Sequence, residues 1–175
     1  MSFETRKKQK MKNSLSSQKK TLFLCRAALI ASLYVVLTLI ASMLGLSSHV
    51  IQVRFSEALC ILPMFTPAAI PGLAIGCLVS NLICAALWQD VVFGTLATLI
   101  GAIGTYALRK YKWLAPLPPI LANTLIIPFV LAYAYGFEGG VLYFMLTVGI
   151  GEIISLYLLG LILHRALVKH QNVLF

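Results

Sequence analysis

The sequence predicts an all-α integral membrane protein, a compact bundle of six transmembrane helices. Three observations predict it. Of the 175 residues, 60% are hydrophobic and only 11% charged, whereas soluble domains carry roughly 25% charged residues. The apolar residues gather into stretches of about the 20 residues that a helix needs to cross a hydrocarbon core about 30 Å thick. The cations cluster where an even number of crossings places them on one side.

Six stretches meet the length test: Thr21 to Leu46, Val50 to Thr66, Pro67 to Leu87, Val91 to Leu108, Leu114 to Tyr135, and Gly140 to Leu167. The second is the weakest, being short and carrying Arg54, Glu57 and Pro63. Lys and Arg in short loops stay on the cytoplasmic side. Six crossings put the N-terminal tail, the Arg109-Lys110-Tyr111-Lys112 loop and the Arg165/Lys169 end all inside, and five crossings cannot. Both termini are thus expected in the cytoplasm of a multi-pass cell-membrane protein. The expected domain organisation is a basic, disordered tail over residues 1–20, a membrane domain over 21–170 and a short tail over 171–175.

The net charge is +9, but Arg6, Lys7, Lys8, Lys10, Lys12, Lys19, Lys20 and Arg26 supply most of it from the first 26 residues. That suits a tail near anionic lipid rather than nucleic-acid binding, whose cations would line a folded face. A cleaved secretory signal is not expected, because the run from Leu22 to Leu46 exceeds a signal's apolar region and offers no clear small-residue cleavage site. Cys25, Cys60, Cys77 and Cys84 form no CxxC pair and have no nearby His, so they read as small apolar packers rather than as a metal or disulfide set. No G-x-x-x-x-G-K-[ST] loop occurs, so this chain is not expected to hydrolyse ATP by that route.

Ionisable residues inside a membrane are costly, about 2.5–3.5 kcal/mol at the helix centre, and so are candidates for function. Glu152 stands near the midplane of the last helix, with Gly149 and Ser155 on its face. It either meets a ligand or pairs with Asn123 or Asn81 to hold helices together. Both amides suit the edge of a heterocycle and suit interhelical bonding equally. Gln52, Arg54, Ser56 and Glu57 crowd the outer entrance of the second helix. There Arg54 and Glu57 can pair with each other or form part of a binding cup closed by bends at Pro63 and Pro67. Asp90 either caps the fourth helix or faces the ligand. Trp88, Tyr133, Tyr135 and Tyr143 serve as interfacial anchors or, alternatively, as stacking surfaces.

Two stripes are small rather than polar. Ala27, Ala28, Ala31 and Ser32 lie at the inner end of helix one, and Gly94, Thr98, Gly101 and Thr105 along helix four; each allows close helix packing, and the first also suits docking of a partner subunit. His49 lies outside and His164 and His170 inside, so no catalytic histidine cluster forms and an enzyme is not expected.

With these residues in place, the chain resembles the substrate-binding (S) component of energy-coupling-factor transporters, of the QueT-type queuosine-precursor family. The similarity lies in Q-V-R-F-S-E-A-L (Gln52 to Leu59) with Leu62-Pro63, T-P-A-A-I-P-G-L (Thr66 to Leu73), D-V-V-F-G-T-L-A-T-L (Asp90 to Leu99), L-A-P-L-P-P-x-x-x-N (Leu114 to Asn123) and V-G-x-G-E (Val148 to Glu152). The resemblance implies a six-helix capsule that captures its solute at the outer face. It also implies a transmembrane coupling subunit docked on the Ala27-xxx-Ala31 pattern, and two cytosolic ATPases that use ATP, leaving this chain without a cofactor. The implied cargo is 7-aminomethyl-7-deazaguanine or a related 7-deazapurine. Glu152 with Asn81 or Asn123 would take its guanine-like edge, and Glu57, or else Asp90, its cationic aminomethyl group.

Overall fold

The computed structural model describes residues 3–45, 54–136 and 140–170, with side chains described from residue 16. Helix α1 (Phe3–Met43) is followed by a 3₁₀ helix (Phe55–Met64), then α2 (Ala69–Ile83), α3 (Trp88–Ala107) and α4 (Leu117–Phe129), which continues as a π-helical turn (Val130–Ala134). The last rod comprises α5 (Val141–Ile153), a second π segment (Ile154–Gly160) and α6 (Leu161–Lys169). Six helical rods therefore occupy the six predicted stretches, and no strand occurs among the described residues. Four rods, Ser16–Met43, Trp88–Ala107, Leu117–Ala134 and Val141–Lys169, are long and apolar enough to cross a membrane.

Helix α1 runs without a break from Phe3 through the basic segment into the apolar one. The basic segment is rich in Lys, a good helix former, and contains neither Gly nor Pro. At 1.5 Å per residue its 41 residues span about 60 Å, twice the hydrocarbon thickness, so the basic end projects beyond the membrane.

Helices α1 to α5 pack each on the next along the chain. The 3₁₀ helix runs through their midst, touching α1, α2, α3, the second π segment and α6. Every residue from Ser56 to Pro63 is buried. This placement explains why the second stretch is the most polar of the six: its surroundings are protein, not lipid, so Glu57 finds hydrogen-bond partners on other side chains. The other rods turn their large apolar residues outward, as with Leu29, Leu33, Val36 and Ile40 on α1 and Leu96, Ile100 and Ile103 on α3. Exposed apolar surface this extensive belongs against lipid.

Two seams are built on missing side chains. A Cβ at Gly72 would lie 2.7 Å from the Ala27 carbonyl oxygen, and one at Gly76 2.7 Å from Tyr34 Cβ, so α1 and α2 approach to backbone contact. On the other side, Gly101 and Gly104 of α3 receive Pro119 and Pro118 from the first turn of α4. Both seams follow the small-residue logic of membrane packing.

Candidate functional site

The polar residues converge between the 3₁₀ helix, α3, α4 and α5, toward the end of the bundle that carries the turn between α2 and α3. A small cavity of about 10 Å³ lies there. Arg54 and Glu57 line it from the 3₁₀ side, Gly94 and Thr98 from α3, Asn123 and Ile127 from α4, and Val148 and Glu152 from α5. It is narrow, with central room for on the order of one water molecule.

Its two acids sit in unlike surroundings. Glu57 is buried, and both of its oxygens accept hydrogen bonds: Oε1 from the Tyr34 hydroxyl at 2.7 Å and Oε2 from the Cys60 thiol at 3.2 Å. Tyr34 is held in place because Gly76 leaves it space against α2. Glu152, 7% exposed, accepts at Oε1 from Asn123 Nδ2 at 2.8 Å. Its Oε2 is buried and finds no partner among the described residues. Of the two helix-joining partners left open in the sequence, Asn123 is the one that bonds Glu152, and it satisfies only one oxygen of the carboxylate. Arg54 is half-buried, within electrostatic reach of Asp90, Tyr34 and Glu57.

A second polar group lies behind Gly94. Asn81 is buried on α2 and donates to the Asp90 carbonyl oxygen at 3.4 Å and to Cys77 Sγ at 3.7 Å. Asp90 Oδ2 accepts from the Tyr135 hydroxyl at 3.2 Å, and that hydroxyl in turn accepts from the Leu87 amide at 3.3 Å. Asp90 Oδ1 is buried without a partner among the described residues. The N-cap of α3 is Leu87, and Asp90 lies inside the first turn rather than at the cap.

Other residues singled out in the sequence lie away from this cavity. Trp88 is 68% exposed and Tyr133 78% exposed, and neither borders the cavity; Tyr133 instead stacks on Phe129 at 6.3 Å on the outer surface. Large amphipathic rings at rod ends gain more from the membrane interface than from a polar crevice. Gly149 does not open space beside Glu152, since its face meets Thr124 at 3.5 Å; Gly94 and Thr98 open that space from across the cavity. Ala27 is 6% exposed and belongs to the α1–α2 seam, so it offers no docking surface; Ala31 is half-buried and Ala28 exposed. Gln52 lies outside the described residues.

Sequence reasoning missed Tyr34, Cys60 and Tyr135 as partners of the acids. A signal existed for Tyr34, a hydroxyl at the centre of the apolar α1, where a buried phenol needs an acceptor. Cys60 carried none, since a thiol in an apolar run reads as a small packer. All four cysteines are free, and no group of His, Cys, Asp and Glu among the described residues can hold a metal ion.

A family model described as QueT transporter matches residues 24–169. The protein named Queuosine precursor transporter QueT from Lactococcus lactis subsp. cremoris (strain MG1363) is 34% identical over 94 residues, a stretch that covers 53% of this chain and 55% of that protein. The match thus spans about half the length of that relative. No solved structure matches the chain.

Proposed function

The chain belongs to the QueT transporter family, and from that premise we propose that it is the S component of an energy-coupling-factor importer that captures a 7-deazapurine queuosine precursor. The observation that carries this reading is that Glu152 and Asn123 both line the cavity and that Oε2 of Glu152 has no partner among the described residues. A carboxylate with a free oxygen accepts the adjacent N–H donors of a guanine-like edge, and a neighbouring amide supplies the complementary donor. In hydrocarbon a buried acceptor without a donor is costly, and a ligand edge removes that cost. The name of the Lactococcus lactis relative points to the same class of cargo.

A bicyclic base is larger than the space now open, so capture requires the walls to part. The α4–α5 wall is built for movement, with Pro128 interrupting α4 immediately before the π turn Val130–Ala134 and a second π segment following α5. In this reading the site opens outward, both termini are cytoplasmic, and two separate ATPases supply the energy through a transmembrane coupling subunit. That subunit docks on α1 at Ala28 and Ser32, which are exposed four residues apart, beside an apolar groove lined by Leu29, Leu33, Leu59, Leu62, Leu163 and Leu167.

Binding decides the first part. Purified protein is expected to gain thermal stability with 7-aminomethyl-7-deazaguanine, and Glu152→Gln to lose that gain while remaining folded. Unchanged ligand-dependent stabilisation in the variant removes Glu152 from the site, and a stronger response to riboflavin, thiamine or biotin assigns the protein to another cargo. For docking, Ala28→Trp is expected to abolish co-purification with the coupling subunit and leave ligand binding intact.

A further inference from the structure

Asp90 is a buried acid that neither the capping of α3 nor the Glu152 cluster uses. It is 7% exposed, and its surroundings are few. Tyr135 donates to Oδ2, Asn81 donates to the Asp90 backbone oxygen, Arg54 acts on it electrostatically, and Oδ1 is left without a partner among the described residues. The first turn of a helix favours an acid through its dipole, but that preference requires neither burial nor an empty oxygen.

The route from the cavity to this oxygen passes Gly94. A Cβ there would lie 3.4 Å from Asp90 Oδ1 and 3.2 Å from Asn81 Nδ2, and Gly94 itself lines the cavity. The absent side chain is therefore a window between the Glu152 chamber and Asp90. The charges point the same way. Three of the five acids in a chain of net charge +9, namely Glu57, Asp90 and Glu152, gather around the single guanidinium of Arg54 among the described residues. Buried anions in excess of their cations are stabilised by a cation that arrives with the ligand. Glu57 is poorly placed to receive it, because Tyr34 and Cys60 already occupy both of its oxygens.

We infer that Asp90, reached through the Gly94 window, is the specificity-determining acceptor for a cationic arm on the ligand, while Glu152 and Asn123 hold the ring edge. The inference rests on the function proposed above and adds to it a division of labour: the ring is read by one carboxylate and the ammonium by another. It predicts selectivity for amine-bearing 7-deazapurines over neutral ones.

The test compares the affinity of the full-length protein for 7-aminomethyl-7-deazaguanine with that for 7-deazaguanine, which lacks the arm. A hydrogen bond to a charged group corresponds to roughly a tenfold or greater change in affinity. Asp90→Asn is expected to lower the preference for the amine-bearing ligand at least about tenfold and to leave 7-deazaguanine binding nearly unchanged. Gly94→Ala, whose new methyl sits at contact distance, is expected to reduce the same preference without touching any charge, and it reads the window even if Asp90→Asn fails to fold. Glu152→Gln weakens both ligands together. If both ligands bind and neither Asp90→Asn nor Gly94→Ala alters their ratio, the inference is overturned and the proposed function stands. If the wild-type protein binds neither, the proposed function falls and takes the inference with it.

Discussion

Glu57 and Glu152 border one cavity from opposite walls, and their surroundings differ in kind. Glu57 is held by α1 and by its own 3₁₀ turn, with a donor on each oxygen. Glu152 is held by one amide from α4 and keeps one oxygen bare. The walls differ likewise: α1 and α2 meet at backbone contact through Gly72 and Gly76, whereas α4 is interrupted at Pro128 and both α4 and α5 run into π-helical segments. A membrane interior penalises every bare acceptor, so a carboxylate with all its donors supplied from within is part of the fold. One left incomplete can still accept a further donor.

The sharpest way to break this contrast is Glu57→Ala, which strands the Tyr34 hydroxyl and leaves a void at the centre of the bundle. It is expected to cost about 3 kcal/mol in SDS-denaturation curves. Next is Gly72→Ala: its methyl meets the Ala27 backbone at 2.7 Å, and the forced separation of α1 from α2 is expected to cost about 2 kcal/mol by the same measurement. Tyr34→Phe removes one of the two donors to Glu57 and is expected to cost about 1 kcal/mol, in the range of interhelical hydrogen bonds in membranes.

Ala85 offers a smaller change of opposite sign. It closes α2 at a left-handed φ of 52°, with the Ala86 amide returning to the Asn81 carbonyl at 3.0 Å, the long bond of a Schellman motif. Glycine adopts that conformation without the Cβ penalty. Ala85→Gly is therefore expected to raise stability by roughly 0.5–1 kcal/mol, seen as a higher unfolding midpoint with ligand binding retained. The smallest effect on the fold is expected from Glu152→Gln, within about 0.5 kcal/mol of wild type, because its one hydrogen-bonded oxygen keeps its donor from Asn123. A loss there as large as that of Glu57→Ala, measured without ligand, would erase the distinction between the two walls.

Much of the bundle was legible because lipid imposes a simple rule. Apolar stretches of the right length become rods, and the glycine and alanine stripes at Gly101 and at Ala27 become seams. Periodicity along a single rod could not say which small face turns inward, so packing and docking stayed open for the Ala27 stripe until the structure placed Ala27 in the α1–α2 seam. The acids were legible as exceptions, since Glu57, Asp90 and Glu152 stand out in runs of aliphatic side chains. Their partners were not: Tyr34 is 23 residues from Glu57, Asn123 is 29 from Glu152 and Tyr135 is 45 from Asp90, distances that only packing closes.

The sequence by itself determined that this chain lies in a membrane, where its rods lie apart from the early start of the first, and which few polar side chains stand out in apolar surroundings. Hydrophobicity and backbone hydrogen bonding are local, and a single strand of text records them. Tertiary structure alone decided that the short polar stretch becomes the central rod, and that one carboxylate is completed by a phenol and a thiol while another keeps an oxygen bare. Those outcomes depend on which rods touch and at what height, and that is settled by the close approach at Gly72, Gly76 and Gly94 across elements far apart in the chain.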